Sequence, residues 1–324
     1  MKKSTSKSFE HFTVLKTLLL LLLFSINCFL KNSQAHTFTN SNQKQFDNLN
    51  FTYFASHQQV YSNIKNKQWF TKIQISPWDI EDNFWIEPFV EYFVWKELNN
   101  QKSTIVKETG VKIGTGLSGI YNQSFLNLDL LLFHEAFLFG GKTKYEGHTW
   151  DGLPVESKGK YFGSKGELDI GIKQFSYNKI LPYIGIGYYI WERDLTETQE
   201  NVIGYKEIWS MLFCKIGLKI LIEKTKGDFI LDSWIGTDIM TRNRAKFSEV
   251  LPNSSDVTTH PNGSFFWGIK TKYKSDSFFL KLYYSYYKWN KSDPQIATIL
   301  NTQVFVYQPE STESIFGVAI GFHF

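Results

Sequence analysis

The sequence predicts an all-β fold, a transmembrane antiparallel up-and-down β-barrel of about ten strands, with twelve as the alternative. Three observations predict it. Period-two alternation of bulky apolar residues with small or polar ones recurs in ten segments. Short and long connections alternate between those segments. Aromatic residues make up 17% of the chain, yet no apolar stretch beyond residue 35 approaches the roughly 20 residues that a membrane-crossing α-helix needs. A spanning barrel needs apolar side chains only at alternate positions and concentrates aromatics at its two interfaces, so composition and patterning agree.

At the amino end, Lys2, Lys3, Lys7 and Lys16 precede an apolar run from Thr17 to Leu30. That run is too short to span a bilayer as a helix, and the small residues around Ala35 offer a cleavage site before His36. Residues 1–35 are therefore expected to be a cleaved secretory signal that directs Sec-type export. Residues 36–80 are rich in Asn, Gln and Ser, with weak alternation at Phe51 to Ala55 and Trp69 to Ile75. They read as a polar periplasmic segment, as a plug, or as two extra strands. The barrel is expected over 81–324.

Charge argues against one class of partner. The chain has 35 basic and 31 acidic residues, and five lysines and Glu10 fall within residues 1–35, so the remainder is balanced. A global positive field that would attract nucleic acid is absent from the balanced part. Only Cys214 follows the signal, so no intrachain disulfide or thiolate cluster is expected.

The ten predicted strands cover about residues 84–97, 105–120, 125–139, 161–175, 180–194, 203–221, 228–241, 264–273, 277–290 and 312–324. Four connections are short, near 121–124, 176–179, 222–227 and 274–276. The others are longer, at 98–104, 140–160, 195–202, 242–263 and 291–311. Short turns at one end opposite long loops at the other are a property of membrane barrels, and an even strand count returns the chain to its starting side.

Face by face, the apolar set is assigned to lipid. Leu126, Leu128, Leu130 and Leu132 oppose Asn127, Asp129 and Glu135; Val111, Ile113 and Leu117 oppose Glu108, Lys112 and glycines 110, 114 and 116. This places Glu87, Glu91, Glu108, Asp129, Glu135, Glu167, Asp169 and Asp232 inside, beside Lys112, Lys165, Lys173, Lys215, Lys219, Lys270, Lys272 and Lys281. Isolated buried charges are expensive, so the expectation is a salt-bridged, largely plugged lumen.

The last strand carries Phe316, Val318, Ile320, Phe322 and Phe324 on one face, with Ile315, Gly317, Ala319, Gly321 and His323 on the other. It resembles the closing strand of Gram-negative bacterial outer-membrane β-barrels, whose terminal aromatic is an assembly signal. The resemblance implies an outer-membrane location, contact with lipid and lipopolysaccharide, and recognition by the barrel-assembly machinery. Ten strands is also the size of the omptin surface proteases, which activate water with Asp and His at the barrel rim. That similarity is architectural: their Asp pair has no counterpart, and Asp256 and His260 stand four apart.

The candidate catalytic residues are His148, Asp151 and His260 in the long loops, where an imidazole near a carboxylate acts as a general base. A lipid hydrolase would need a Ser and a His meeting on the outward face, and His134, Ser164 and Ser210 have that phase. No cofactor or metal is expected. His148 and Asp151 are two ligands where a closed site takes about four, and Gly110 to Gly119 lie on a strand without a following helix. The expected role is a surface-exposed scaffold contacting an extracellular ligand, with a narrow channel for polar solutes as the alternative and a hydrolase as the second.

Overall fold

The computed structural model describes residues 83–125, 128–148, 152–176, 179–197, 203–224, 227–261, 263–275 and 278–323. The signal at Ala35 and His36, the 36–80 segment, Asp151 and Phe324 lie outside the described residues.

All ten predicted segments are strands of one closed antiparallel sheet: β1 (Asn83–Leu98), β2 (Thr104–Phe125), β3 (Leu128–His148), β4 (Pro154–Ile172), β5 (Ile180–Glu197), β6 (Lys206–Ile222), β7 (Asp228–Ala245), β9 (Phe265–Lys274), β10 (Phe278–Trp289) and β13 (Glu310–His323). Sequential neighbours pair, β6 joins β7, and β1 joins β13 to close the ring. That seam runs from Trp85 opposite His323 to Leu98 opposite Glu310, so the twelve-strand alternative fails: no strand fits between β1 and β13.

Three short strands lie within the long connections. These are β8 (Val257–Thr259), which pairs with the end of β7, and the hairpin of β11 (Gln295–Ile299) with β12 (Thr302–Val306). The connection expected over 140–160 is mostly strand, because β3 and β4 stay in register out to His148 opposite Pro154. The sequence hides this extension because the outer arms carry polar residues on both faces, as Lys142, Thr143, Lys144 and Glu146 show.

The outward face is apolar. Ile113, Ile184 and Ile216 expose 61%, 62% and 58% of their surface, far more than an aqueous surround tolerates across a continuous belt. Phe316, Val318, Ile320 and Phe322 join this belt, while Ile315, Gly317, Ala319 and Gly321 are buried inside. Interior small residues make room for large ones. A Cβ on Gly114 would stand 2.6 Å from the Phe89 ring, closer than any packed carbon tolerates.

The lumen is filled in layers. At the short-turn end Trp85, Ile120, Leu131, Leu181, Leu221 and Phe279 form an apolar floor. Above it lie the predicted charges, paired as expected: Lys219 with Asp169 and Asp232 (3.0 and 2.7 Å), Lys270 with Glu135 (2.9 Å), Lys165 with Glu167 (2.6 Å), and Lys281 with Glu87. Two predicted members fall elsewhere. Asp129 is exposed at the rim, accepting a hydrogen bond from Ser124 Oγ at 2.9 Å, and Lys173 sits in a single 3-10 turn, Lys173–Phe175.

Higher still, the lumen reverses the expectation for aromatic residues. Trp95, Trp191, Trp209 and Trp289 pack together inside, with the Trp191 and Trp209 rings stacked at 5.4 Å and 8°. Among the described residues, aromatic side chains therefore fill a core as well as the outward face. Large rings fill a cross-section that would otherwise hold water, and burying each one stabilises the barrel by roughly 2 to 3 kcal/mol.

Candidate functional site

Two parts of the molecule are candidates: the interior and the outward loop assembly. Inside, the free space between ionic and aromatic layers is a cavity of about 50 Å³ lined by Glu91, Glu135, Glu167, Lys165, Lys270 and Lys281, among others. That space suits a few waters satisfying polar groups. Tyr283 donates to Glu91 at 2.7 Å, and Lys165 donates to the Tyr287 hydroxyl at 2.9 Å.

Toward the long-loop end one guanidinium holds three strands. Arg193 on β5 donates to Glu97 on β1 (3.0 Å), Glu207 on β6 (2.8 Å) and Glu108 on β2 (2.6 Å from Nε), all of them buried. Each carboxylate also receives a neutral donor: Trp95 Nε1 to Glu97 (3.1 Å), Trp209 Nε1 to Glu207 (3.0 Å), and the Tyr161 hydroxyl to Glu108 (3.0 Å). The fork of an arginine suits several carboxylates at fixed angles, which a lysine would not. Of this set only Glu108 was among the residues expected inside. Arg193, Glu97 and Glu207 keep the interior phase of their strands, which is the signal that would have found them.

Above Arg193 the loops form an ordered cap. Ala245, Phe247, Val257, Ala297 and Ile299 make a small apolar core, and the Tyr205 and Phe247 rings lie 4.7 Å apart. Asp256 fastens the cap: it accepts from Ser248 N (3.1 Å), Ser248 Oγ (2.7 Å) and Arg244 (3.0 Å), with Lys246 at 3.5 Å. Partial burial raises the Asp256 carboxyl, but the Ser248 hydrogen bonds and the two cations outweigh it and hold it below the usual aspartate value. Burial, followed by the Glu207 and Glu97 charges, pushes the Tyr205 phenol well up.

The predicted catalytic residues are not assembled among the described residues. His148 ends β3, exposed, with Nδ1 3.4 Å from the Ile105 carbonyl, and His260 is exposed beside the Pro261–Ser292 bridge. Asp256 serves the cap, not an imidazole. On the outward face His134 stacks on Tyr121 (5.3 Å, 9°), but its cross-strand partners are Gly119 and Leu168, whereas Ser164 and Ser210 both pair with Ile190. No Ser–His contact results. No group of three His, Cys, Asp or Glu side chains placed to hold a metal occurs among the described residues.

The fold defines the class: a closed ten-stranded β-barrel with an apolar outer belt and a polar and aromatic interior. No protein-family model matches the chain, and no curated protein matches its sequence. Among solved structures it is similar to the outer membrane protease OmpT of Escherichia coli, at 8% identity and a TM-score of 0.42, over 75% of this chain and 96% of that one. It is also similar to the transport unit of the autotransporter AIDA-I of Escherichia coli (12%, TM-score 0.41, 84% and 97% covered). A third is the outer membrane protein OprG of Pseudomonas aeruginosa (11%, TM-score 0.31, 75% and 96% covered).

Proposed function

We propose that this chain resides in a bacterial outer membrane as a non-conducting barrel, short turns toward the periplasm, and acts as a surface scaffold that contacts extracellular ligands through its outward cap. The observation that carries the reading is the filled lumen. An apolar floor, an ion-pair layer, the tryptophan cluster and the Arg193 node follow one another along its length. A path for solutes would have to break several of these at once, and each unpaired buried charge so created is costly. The export signal at residues 1–35 and recognition of the terminal strand by assembly machinery belong to the same reading.

The test is single-channel recording on the purified chain in planar bilayers. A silent membrane, with insertion verified independently, is expected. Discrete conductance steps would replace the scaffold reading with the narrow channel.

A further inference from the structure

The outer wall of the barrel is not uniformly convex. Across five adjacent strands, β4, β5, β6, β7 and β9, it bears a groove of about 880 Å³. One side is a row of successive cross-strand partners, Ile170, Ile184, Ile216, Ile235 and Trp267. One step along the strands, Leu218 pairs with Ser233 and Ser233 with Ile269. Ser233 is the small member of this second row, and it leaves a dent among branched side chains. Phe175, 66% exposed, overhangs the short-turn end.

The foot of this groove is basic. Lys173 shares its 3-10 turn with Phe175, Lys179 precedes β5, and Lys224 follows β6. Lys179 Nζ lies 2.9 Å from Glu223, and Leu221 N donates to the Lys179 carbonyl at 2.9 Å, so the start of β5 and the end of β6 sit side by side beneath it. Among the described residues here, Lys173, Lys179 and Lys224 outnumber the acidic Glu223 and Asp228. The β2–β3 turn elsewhere on the same rim has Asp129 and no lysine.

We propose that this groove binds one glycerophospholipid with an anionic head group, its acyl chains along the isoleucine row and its phosphate at the lysine foot. The shape takes flexible chains, the lining offers almost only carbon, and the charge sits where a head group in the periplasmic leaflet would lie. The inference rests on the membrane residence proposed above and is independent of whether the lumen conducts.

Native mass spectrometry tests it. The full chain, extracted in mild detergent, is titrated with dioleoylphosphatidylglycerol and, separately, dioleoylphosphatidylcholine, which share acyl chains and differ in head-group charge. The anionic lipid should bind about fivefold or more in excess of the zwitterionic one. Lys173→Gln with Lys224→Gln should remove that preference, and Ser233→Phe, which fills the dent from the outside, should remove both adducts. Ser233→Leu is the milder filling and decides the matter if the larger ring prevents folding. Equal binding of the two lipids, adducts that survive both fillings, or a second copy of the chain in place of lipid would each overturn the proposal. Failure of membrane residence would register separately, as folded product in the soluble fraction of cells.

Discussion

Lys112 and Glu313 meet 2.6 Å apart inside the barrel, both shielded from solvent, although 201 positions separate them in sequence. Lys112 stands on β2 and Glu313 on β13, so the pair reaches over β1 and fastens the seam where the ring closes. The Lys112 ammonium also lies 4.2 Å from the centre of the Phe93 ring and 3.2 Å from the Tyr189 hydroxyl.

Removing one partner leaves the other charge buried and alone. Lys112→Met is expected to cost about 3 to 5 kcal/mol, whereas Lys112→Met with Glu313→Leu should recover most of that loss. Urea unfolding of the refolded barrel in detergent reads both. Equal loss in single and double variants would mean that packing, not the orphaned carboxylate, sets the cost.

Topology predicts which turns are reachable from outside. In a Cys214→Ser background, Ser254→Cys in the cap should react with an impermeant maleimide on intact cells. Ser275→Cys, in the short β9–β10 turn, should stay unlabelled until the outer membrane is permeabilised. The opposite pattern would invert the proposed orientation.

The cap should loosen in acid. The Asp256 carboxyl is held below its ordinary value, so the folded cap binds fewer protons there than the open cap does. Its contribution is fully present above the ordinary aspartate value of about 3.9 and is lost as pH falls through the lower folded value. Hydrogen exchange at the Ser248 amide, corrected for intrinsic rate, should show protection at neutral pH and little under strongly acidic conditions. Asp256→Asn should lose protection at both. Protection unchanged in that variant would remove Asp256 from the role assigned to it.

Deleting Phe324 removes one apolar side chain, worth roughly 1.5 to 3 kcal/mol if fully buried. The expected effect is therefore uneven: a large drop in membrane yield in cells, but a small change in stability after refolding into detergent. Wild-type yield from the truncated chain would count against recognition of the terminal strand.

The strands were legible because a lipid-facing belt imposes strict alternation, and Leu130, Ile113 and Phe316 announce it. Beyond the belt that constraint lapses. Lys142 to Glu146 are solvated or half-solvated whichever way they point, so the pattern fades while the backbone ladder continues to His148. The ion-pair layer was legible in phase but not in partnership, since nothing in the local spacing of Lys219 says that it meets Asp169 and Asp232. The interior tryptophan cluster was not legible for a simpler reason: Trp95 shares its face with Glu97 and Glu91, and hydrophobicity alone would send it the other way. His148 and His260 were legible as chemistry but not as placement, since the sequence does not say that both stand exposed on separate elements.

The length of β3 has a consequence for reach. Its 21 residues, at roughly 3.3 Å each and a tilt near 40°, climb roughly 50 Å, about twice the roughly 25 Å of an apolar membrane band. In the proposed orientation the β3–β4 ladder, paired out to His148 opposite Pro154, extends past the acyl layer on the long-loop side. Because backbone pairing fixes the height of these two strand arms, a ligand of the proposed scaffold would meet arms whose elevation is already set. Such a ligand would spend little of its affinity on ordering the paired arms.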